Sequence, residues 1–224
     1  MSEGHIANRL AAESLAAGDP TGWFEPLYAA ARDGGTTVPW DRGAPQDLLV
    51  GWARERGAAG AGRRAVVVGC GLGDDAEFTA GLGFDTVAFD ISASAIELAR
   101  RRFPGSDVRY VRADLLAAPP AWSGAFDLVI EVQTVQALPE PDRSRAIAAV
   151  AGLTAPGGTL LVVTAAGDAQ DPRSPVPPWP LARAEIDAFA TGGLAPVRVE
   201  DVRDAAAGRR RWRAEFHRAA APPR

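Results

Sequence analysis

Ala65-Val66-Val67-Val68-Gly69-Cys70-Gly71-Leu72-Gly73-Asp74-Asp75 is the stretch whose reading decides the fold. Four apolar residues, mostly valine, are too few for a helix and read as a strand buried on both faces. Three glycines at alternate positions follow, and the two carboxylates after them suit the first turn of a helix. Strand, glycine turn and helix in that order is how open α/β sheets bring backbone N–H groups close to a nucleoside-bearing ligand.

Working outward, the strand-helix alternation continues and predicts a mostly parallel sheet. Strands are expected at 65–68, 86–90, 108–111, 126–131 and 159–164, with helices over 74–81, 93–102 and 142–153. Pro156-Gly157-Gly158 reads as a tight turn into the fifth strand. A proline-rich loop then spans 168–180 and holds Trp179, a helix follows over 182–191, and strands at 197–203 and 210–218 flank a link containing Gly208. In the last strand Trp212, Ala214 and Phe216 alternate with Arg211, Arg213, Glu215 and His217, which predicts one buried and one wet face. With Arg209 and Arg210 added, the arginines read as a solvated edge strand protected from aggregation by charge.

Upstream, 7–17 has helical composition, and Asp19-Pro20 reads as the start of a second helix with Trp23, Phe24, Leu27 and Tyr28 on one apolar face. A turn-rich segment over 38–45 leads into a helix over 46–56. The chain is thus expected to form one structural domain, with a helical lid over 1–62, a core over 63–218 and a frayed tail over 219–224.

Composition narrows the classes of function. Of 224 residues, 47% are hydrophobic and 23% charged, an ordinary soluble balance, and the net charge of -4 argues against a nucleic-acid surface. Every basic residue is arginine, so Schiff-base lysine chemistry is excluded. One cysteine and two histidines give neither a disulfide framework nor a His/Cys metal site, so no metal is expected. The polar N-terminus and the absence of a long apolar run point to a cytoplasmic protein with no membrane partner, either monomer or homodimer.

Which nucleoside the glycine turn receives depends on the acids. A dinucleotide fingerprint needs its third glycine where Asp74 stands, and an acidic pair facing a pyrophosphate is electrostatically poor. A ligand without phosphate removes that objection. Here the chain resembles the class I S-adenosylmethionine-dependent methyltransferases, over 64–218. Gly69-Cys70-Gly71-Leu72-Gly73 looks like their glycine motif. Asp90, in Phe89-Asp90-Ile91-Ser92, looks like the acid that holds the ribose hydroxyls. Asp114, in Arg112-Ala113-Asp114-Leu115, looks like the acid that takes the adenine amino group, with Leu115 donating its N–H. Phe126 to Glu131 matches the fourth strand, and the last two strands match that fold's closing antiparallel hairpin. Many members carry an acid two residues before the first glycine, where this chain has Val67; Asp74 or Asp75 is then implied to hold the methionyl amino group.

Trp23-Phe24 followed by Val38-Pro39-Trp40-Asp41-Arg42-Gly43-Ala44-Pro45 is similar to the opening segment of the thiopurine, thiol and halide methyltransferases. The likeness implies a segment that closes over the cofactor, with Trp40 beside it and Trp23, Phe24 and Trp40 lining the pocket for a small soft nucleophile. Thiol methylation also needs the least help, because a thiol pKa of about 8.5 leaves thiolate at neutral pH. Glu131 ends the fourth strand, where it is expected to orient a substrate, act as base or only hold the strand end. Gln133, Thr134 and Gln136 are expected to face the substrate, and Trp179 to line the pocket or pin a loop. Cys70 reads as a small buried filler. Competing readings are O- or N-methylation, an NAD(P)-dependent reductase and a non-enzymatic nucleoside-binding protein.

Overall fold

The computed structural model describes residues 4–168, 174–204 and 208–220. Helices α1 (Gly4–Ala16), α2 (Phe24–Arg32) and α3 (Asp47–Arg56) precede β1 (Arg64–Val68). Then come α4 (Asp74–Gly81), β2 (Asp85–Asp90), α5 (Ala93–Arg102), β3 (Arg109–Arg112), β4 (Phe126–Val132), α6 (Asp142–Leu153) and β5 (Thr154–Ala165). The chain closes with α7 (Arg183–Asp187), β6 (Leu194–Asp204) and β7 (Arg209–Arg218). One seven-stranded sheet results, in the order β3-β2-β1-β4-β5-β7-β6. The first five strands are parallel, and β7 runs antiparallel to β5 and to β6.

The valine run does what its composition requires. Val66 and Val68 face a core completed by α6, with Ile147 and Val150, and by Phe189 and Phe216. Ala65 and Val67 face the opposite layer, where α3 supplies Leu49, Trp52 and Ala53 and α5 supplies Ile96 and Ala99. Four successive residues buried on two faces make β1 the centre of both layers. The strand order reverses next to β1, between β2 and β4, so the crevice at their C-terminal ends is the natural ligand site.

Four expectations need correction. First, α2 does not begin at Asp19-Pro20: the Asp19 carboxylate accepts from Thr21 N in a local turn, and the helix starts four residues further on with Trp23 as its N-cap. Second, β5 begins at Thr154, and the Pro156-Gly157-Gly158 turn is a bulge within it: Phe126 pairs with Thr154 but Leu128 with Thr159. Third, the helix expected over 182–191 stops at Asp187. Tight turns then carry Phe189 into the core against Phe216, their ring centroids 6.0 Å apart.

Fourth, β7 is not a solvated edge. It lies between β5 and β6, and the face carrying its charged residues is covered by α3. Arg213 is 8% exposed and bridges both Glu55 oxygens at 3.0 Å and Glu200 at 2.7 Å. Arg211 pairs with Asp47 at 2.6 Å, and Glu215 with Arg56 at 2.6 Å. Alternation alone reports which residues share a face and says nothing about what lies on it. Residues 221–224 of the expected tail and 205–207 of the final link lie outside the described residues.

Because Arg213 compensates two carboxylates at once, Arg213→Ala is expected to lower the unfolding free energy by about 1–3 kcal/mol in urea denaturation. A solvated edge position would lose less than about 0.5 kcal/mol.

Candidate active site

A cavity of about 410 Å³ opens at the C-terminal ends of β1, β2 and β4, within the range of small-molecule sites. The turn from Gly69 to Asp75 forms its floor on one side, with Asp90 and Ile91 after β2 and Asp114 to Leu116 after β3. The N-terminal helices and the segment 39–44 wall the other side.

The glycine turn is shaped by what it must let in. Gly69 has φ 58°, and a Cβ there would overlap the Thr134 side chain, whose hydroxyl donates to Val68 O at 3.0 Å. Gly71 has φ 51°, and a Cβ there would sit 2.9 Å from the Tyr28 hydroxyl. Tyr28 in turn accepts from Trp40 Nε1 at 2.9 Å, so the aromatic wall rests on the turn. Trp23 stacks on Phe24 at 4.1 Å and meets Trp40 edge-on at 5.8 Å.

Asp90 organises the floor. One carboxylate oxygen accepts from Gly71 N at 3.0 Å and the other from Ser92 N at 3.0 Å. Burial outweighs these bonds and pushes its pKa up to about 6. Burial likewise raises Asp75, which accepts from Gln46 N at 2.6 Å. Asp114 is exposed at the rim, where it caps a short 3-10 turn through Leu116 N at 2.8 Å. Asp74 and Asp41 are both held by Arg102, at 2.8 and 2.6 Å.

Five carboxylates and one guanidinium, that of Arg42, therefore line the cavity among the described residues. Two of the five are already paired with Arg102. Asp75, Asp90 and Asp114 make no ion pair among the described residues, with only the Arg42 charge acting on Asp75, so the cavity favours a ligand that brings positive charge and hydroxyl or amino donors. It disfavours a pyrophosphate.

Of the residues anticipated from sequence, the cavity brings together Trp23, Phe24, Trp40, Gly69, Cys70, Gly71, Asp74, Asp75, Asp90, Ile91, Asp114, Leu115, Gln133 and Gln136. Three others stand behind it. Ser92 caps α5, accepting from Ala95 N and donating to Glu25 at 2.7 Å, which fastens α2 to the core. Trp179 is buried; its indole donates to Ser174 O at 2.7 Å and its backbone N–H to Gln136 O at 2.8 Å, so it pins the loop while Pro177 and Pro178 reach the cavity.

Glu131 is fully buried and does not line the cavity. One oxygen accepts from Thr134 N and Val135 N at 2.8 and 2.9 Å, and the other has no partner among the described residues. These bonds hold a turn in which Gln133 adopts φ 59°, unusual for a residue with a side chain. Burial pushes Glu131 up to about 7. Cys70 is buried and its thiol is pushed well up by burial and by Asp90, as expected of a filler. His5 and His217 are exposed and do not line the cavity.

The sequence reading missed Tyr28 as a site residue and missed the Arg102 clamp. A tyrosine on an apolar helix face gives no local sign that its hydroxyl reaches a turn 43 residues away, and α5 shows only a basic last turn. Among the described residues there is no cluster of three or more potential metal ligands, and no helix long and apolar enough to cross a membrane.

Residues 65–158 match the family model described as a methyltransferase domain. A ubiquinone biosynthesis O-methyltransferase of Thiobacillus denitrificans is 32% identical over 150 residues, covering 65% of this chain and 56% of that protein. The chain spans about half the length of the curated relatives it matches. Among solved structures, one described as concerning conversion of a disulfide bond into a thioacetal group during echinomycin biosynthesis superposes with TM-score 0.69. It is 23% identical, over 88% of this chain and 94% of that one. The N-methyltransferase NodS of Bradyrhizobium japonicum WM9, in complex with S-adenosylhomocysteine, gives TM-score 0.66 and 22% identity over 85% of this chain and 96% of that one.

A test of the buried carboxylate follows from its environment. Glu131 has a raised folded pKa, so the folded protein binds a proton that the unfolded chain gives up. Stability is therefore lost as pH rises from the ordinary carboxylate range toward 7. Glu131→Gln keeps the acceptor for Thr134 N and Val135 N and removes the charge. Its stability advantage over the wild type is expected to widen from pH 5 to pH 8, reaching about 1–3 kcal/mol, as read by thermal melts across pH.

Residues 65–158 carry the methyltransferase-domain signature, and the chain has the fold of the class I S-adenosylmethionine-dependent methyltransferases.

Proposed function

We propose that the protein is an S-adenosylmethionine-dependent methyltransferase of a small molecule, with an aromatic thiol as the favoured substrate. The observation that carries the methyl donor is the excess of unpaired carboxylates in a cavity built on the glycine turn. S-adenosylmethionine would bring a sulfonium methyl group that an incoming nucleophile can displace in line. Asp90 would take the ribose hydroxyls beside Gly71, and Asp114 with Leu115 the adenine edge. Asp75, half-buried and without an ion pair among the described residues, would face the amino group better than Asp74, which Arg102 already neutralises. The helical segment over residues 1–62 would serve as a lid, since Glu25, Arg32 and Asp41 fasten it to α5 while its aromatic residues cover the cavity.

For the chemical step the chain's main contributions are orientation and exclusion of water. The lining from α1, the start of α2, residues 132–138 and Pro177-Pro178 contains no acid, base or histidine. A substrate that supplies its own anion at neutral pH suits such a wall, and a thiol does so. The likeness to ubiquinone O-methyltransferases favours a second reading, O-methylation of an acidic phenol.

Two measurements test this. S-adenosylhomocysteine is expected to bind in calorimetry, NADH is not, and Asp114→Ala is expected to weaken binding roughly 10–100-fold without unfolding the protein. Tighter binding of NADH, or normal affinity in the variant, would refute the donor assignment. S-adenosylhomocysteine release with an aryl thiol and its matching phenol across pH then decides the substrate. Turnover of the thiol alone supports thiol methylation, whereas turnover of the phenol at pH values well below its own pKa requires a protein base.

A further inference from the structure

The substrate end of the cavity contains an amide held in one orientation. Gln136 is 5% exposed and lines the cavity. Its Oε1 accepts from Thr164 Oγ1 at 2.7 Å and from Ala165 N at 2.7 Å. A backbone N–H can only donate, so the oxygen and nitrogen of this amide are not interchangeable. The backbone is fixed too, because Gln136 O accepts from Trp179 N at 2.8 Å. Nε2 donates to no acceptor among the described residues, and Gln136 is one of the residues that line the cavity.

Around it the wall is apolar. Ala7, Ala11 and Trp23 cluster with Ala137 and Val176, and Pro177 and Pro178 complete the lining. The Trp23 indole nitrogen is sealed within the protein; Asn8 and Gln133 also line the cavity, but among the described residues Gln136 is the amide there whose oxygen is held by hydrogen bonds. An N–H at the cavity wall that a ligand covers without supplying an acceptor loses its bond to water, which is unfavourable.

We infer that Gln136 is a specificity-determining residue that selects neutral aromatic thiols bearing a carbonyl oxygen, which accepts from its Nε2. A plain hydrocarbon thiol would leave that donor unpaired, and a cationic one would meet it with the wrong sign. The proposal deepens the methyltransferase reading by naming the substrate class, and it rests on that reading.

The probes are 4-mercaptobenzamide and the similarly sized 4-ethylthiophenol, titrated calorimetrically at pH 8.5 with and without S-adenosylhomocysteine. The wild type is expected to prefer the amide by at least about tenfold. Gln136→Glu keeps an oxygen for Thr164 and Ala165 but replaces the N–H donor with a lone pair; Gln136→Met removes the donor without adding charge. Both are expected to reduce the preference to threefold or less, while affinity for S-adenosylhomocysteine stays within about twofold. Equal affinity of the wild type for the two thiols, or a tenfold preference that survives in both variants, would overturn the assignment. Loss of S-adenosylhomocysteine binding in the wild type would instead count against the methyl-donor reading, whatever the thiols do.

Discussion

The buried carboxylate of Asp90 is the constraint on which the rest of the site depends. It accepts from Gly71 N and Ser92 N, joining the turn after β1 to the start of α5. Ser92 then donates to Glu25 on α2, so one chain of hydrogen bonds links the floor of the cavity to the segment above it. A carboxylate kept at 6% exposure is unfavourable in the absence of positive charge, which is why its pKa rises to about 6.

Space is the second constraint. Tyr28 and Thr134 approach the turn where a side chain on Gly71 or Gly69 would stand. The glycines thus serve the packing of neighbouring elements as much as any ligand, and through Tyr28 they place Trp40 over the cavity. At the far end the wall changes character, from carboxylates to aromatic and apolar groups with a few amides. A single cavity so joins a region suited to a polar cation with one suited to a neutral ring.

Much of the architecture was legible locally. The helices over 74–81, 93–102 and 142–153 appear with the expected boundaries. The parallel run of the central strands follows from the alternation that began at Ala65. The errors arose where a residue's role depends on distant chain. Asp19 looked like a helix cap but closes a local turn. The arginines of β7 looked like a wet edge because α3, more than 150 residues earlier, gives no sign in that stretch that it covers them.

The candidate site divides in the same way. Sequence alone determined the strand, the glycine turn and the acids that follow each strand, because those depend on backbone conformation and on spacing along one chain segment. Tertiary structure decided that Glu131 and Trp179 stand behind the cavity, that Arg102 forms an ion pair with Asp74 and not with Asp75, and that the Gln136 amide has its oxygen engaged. Those outcomes rest on burial and on partners brought from far along the chain. Both act only after the chain has folded.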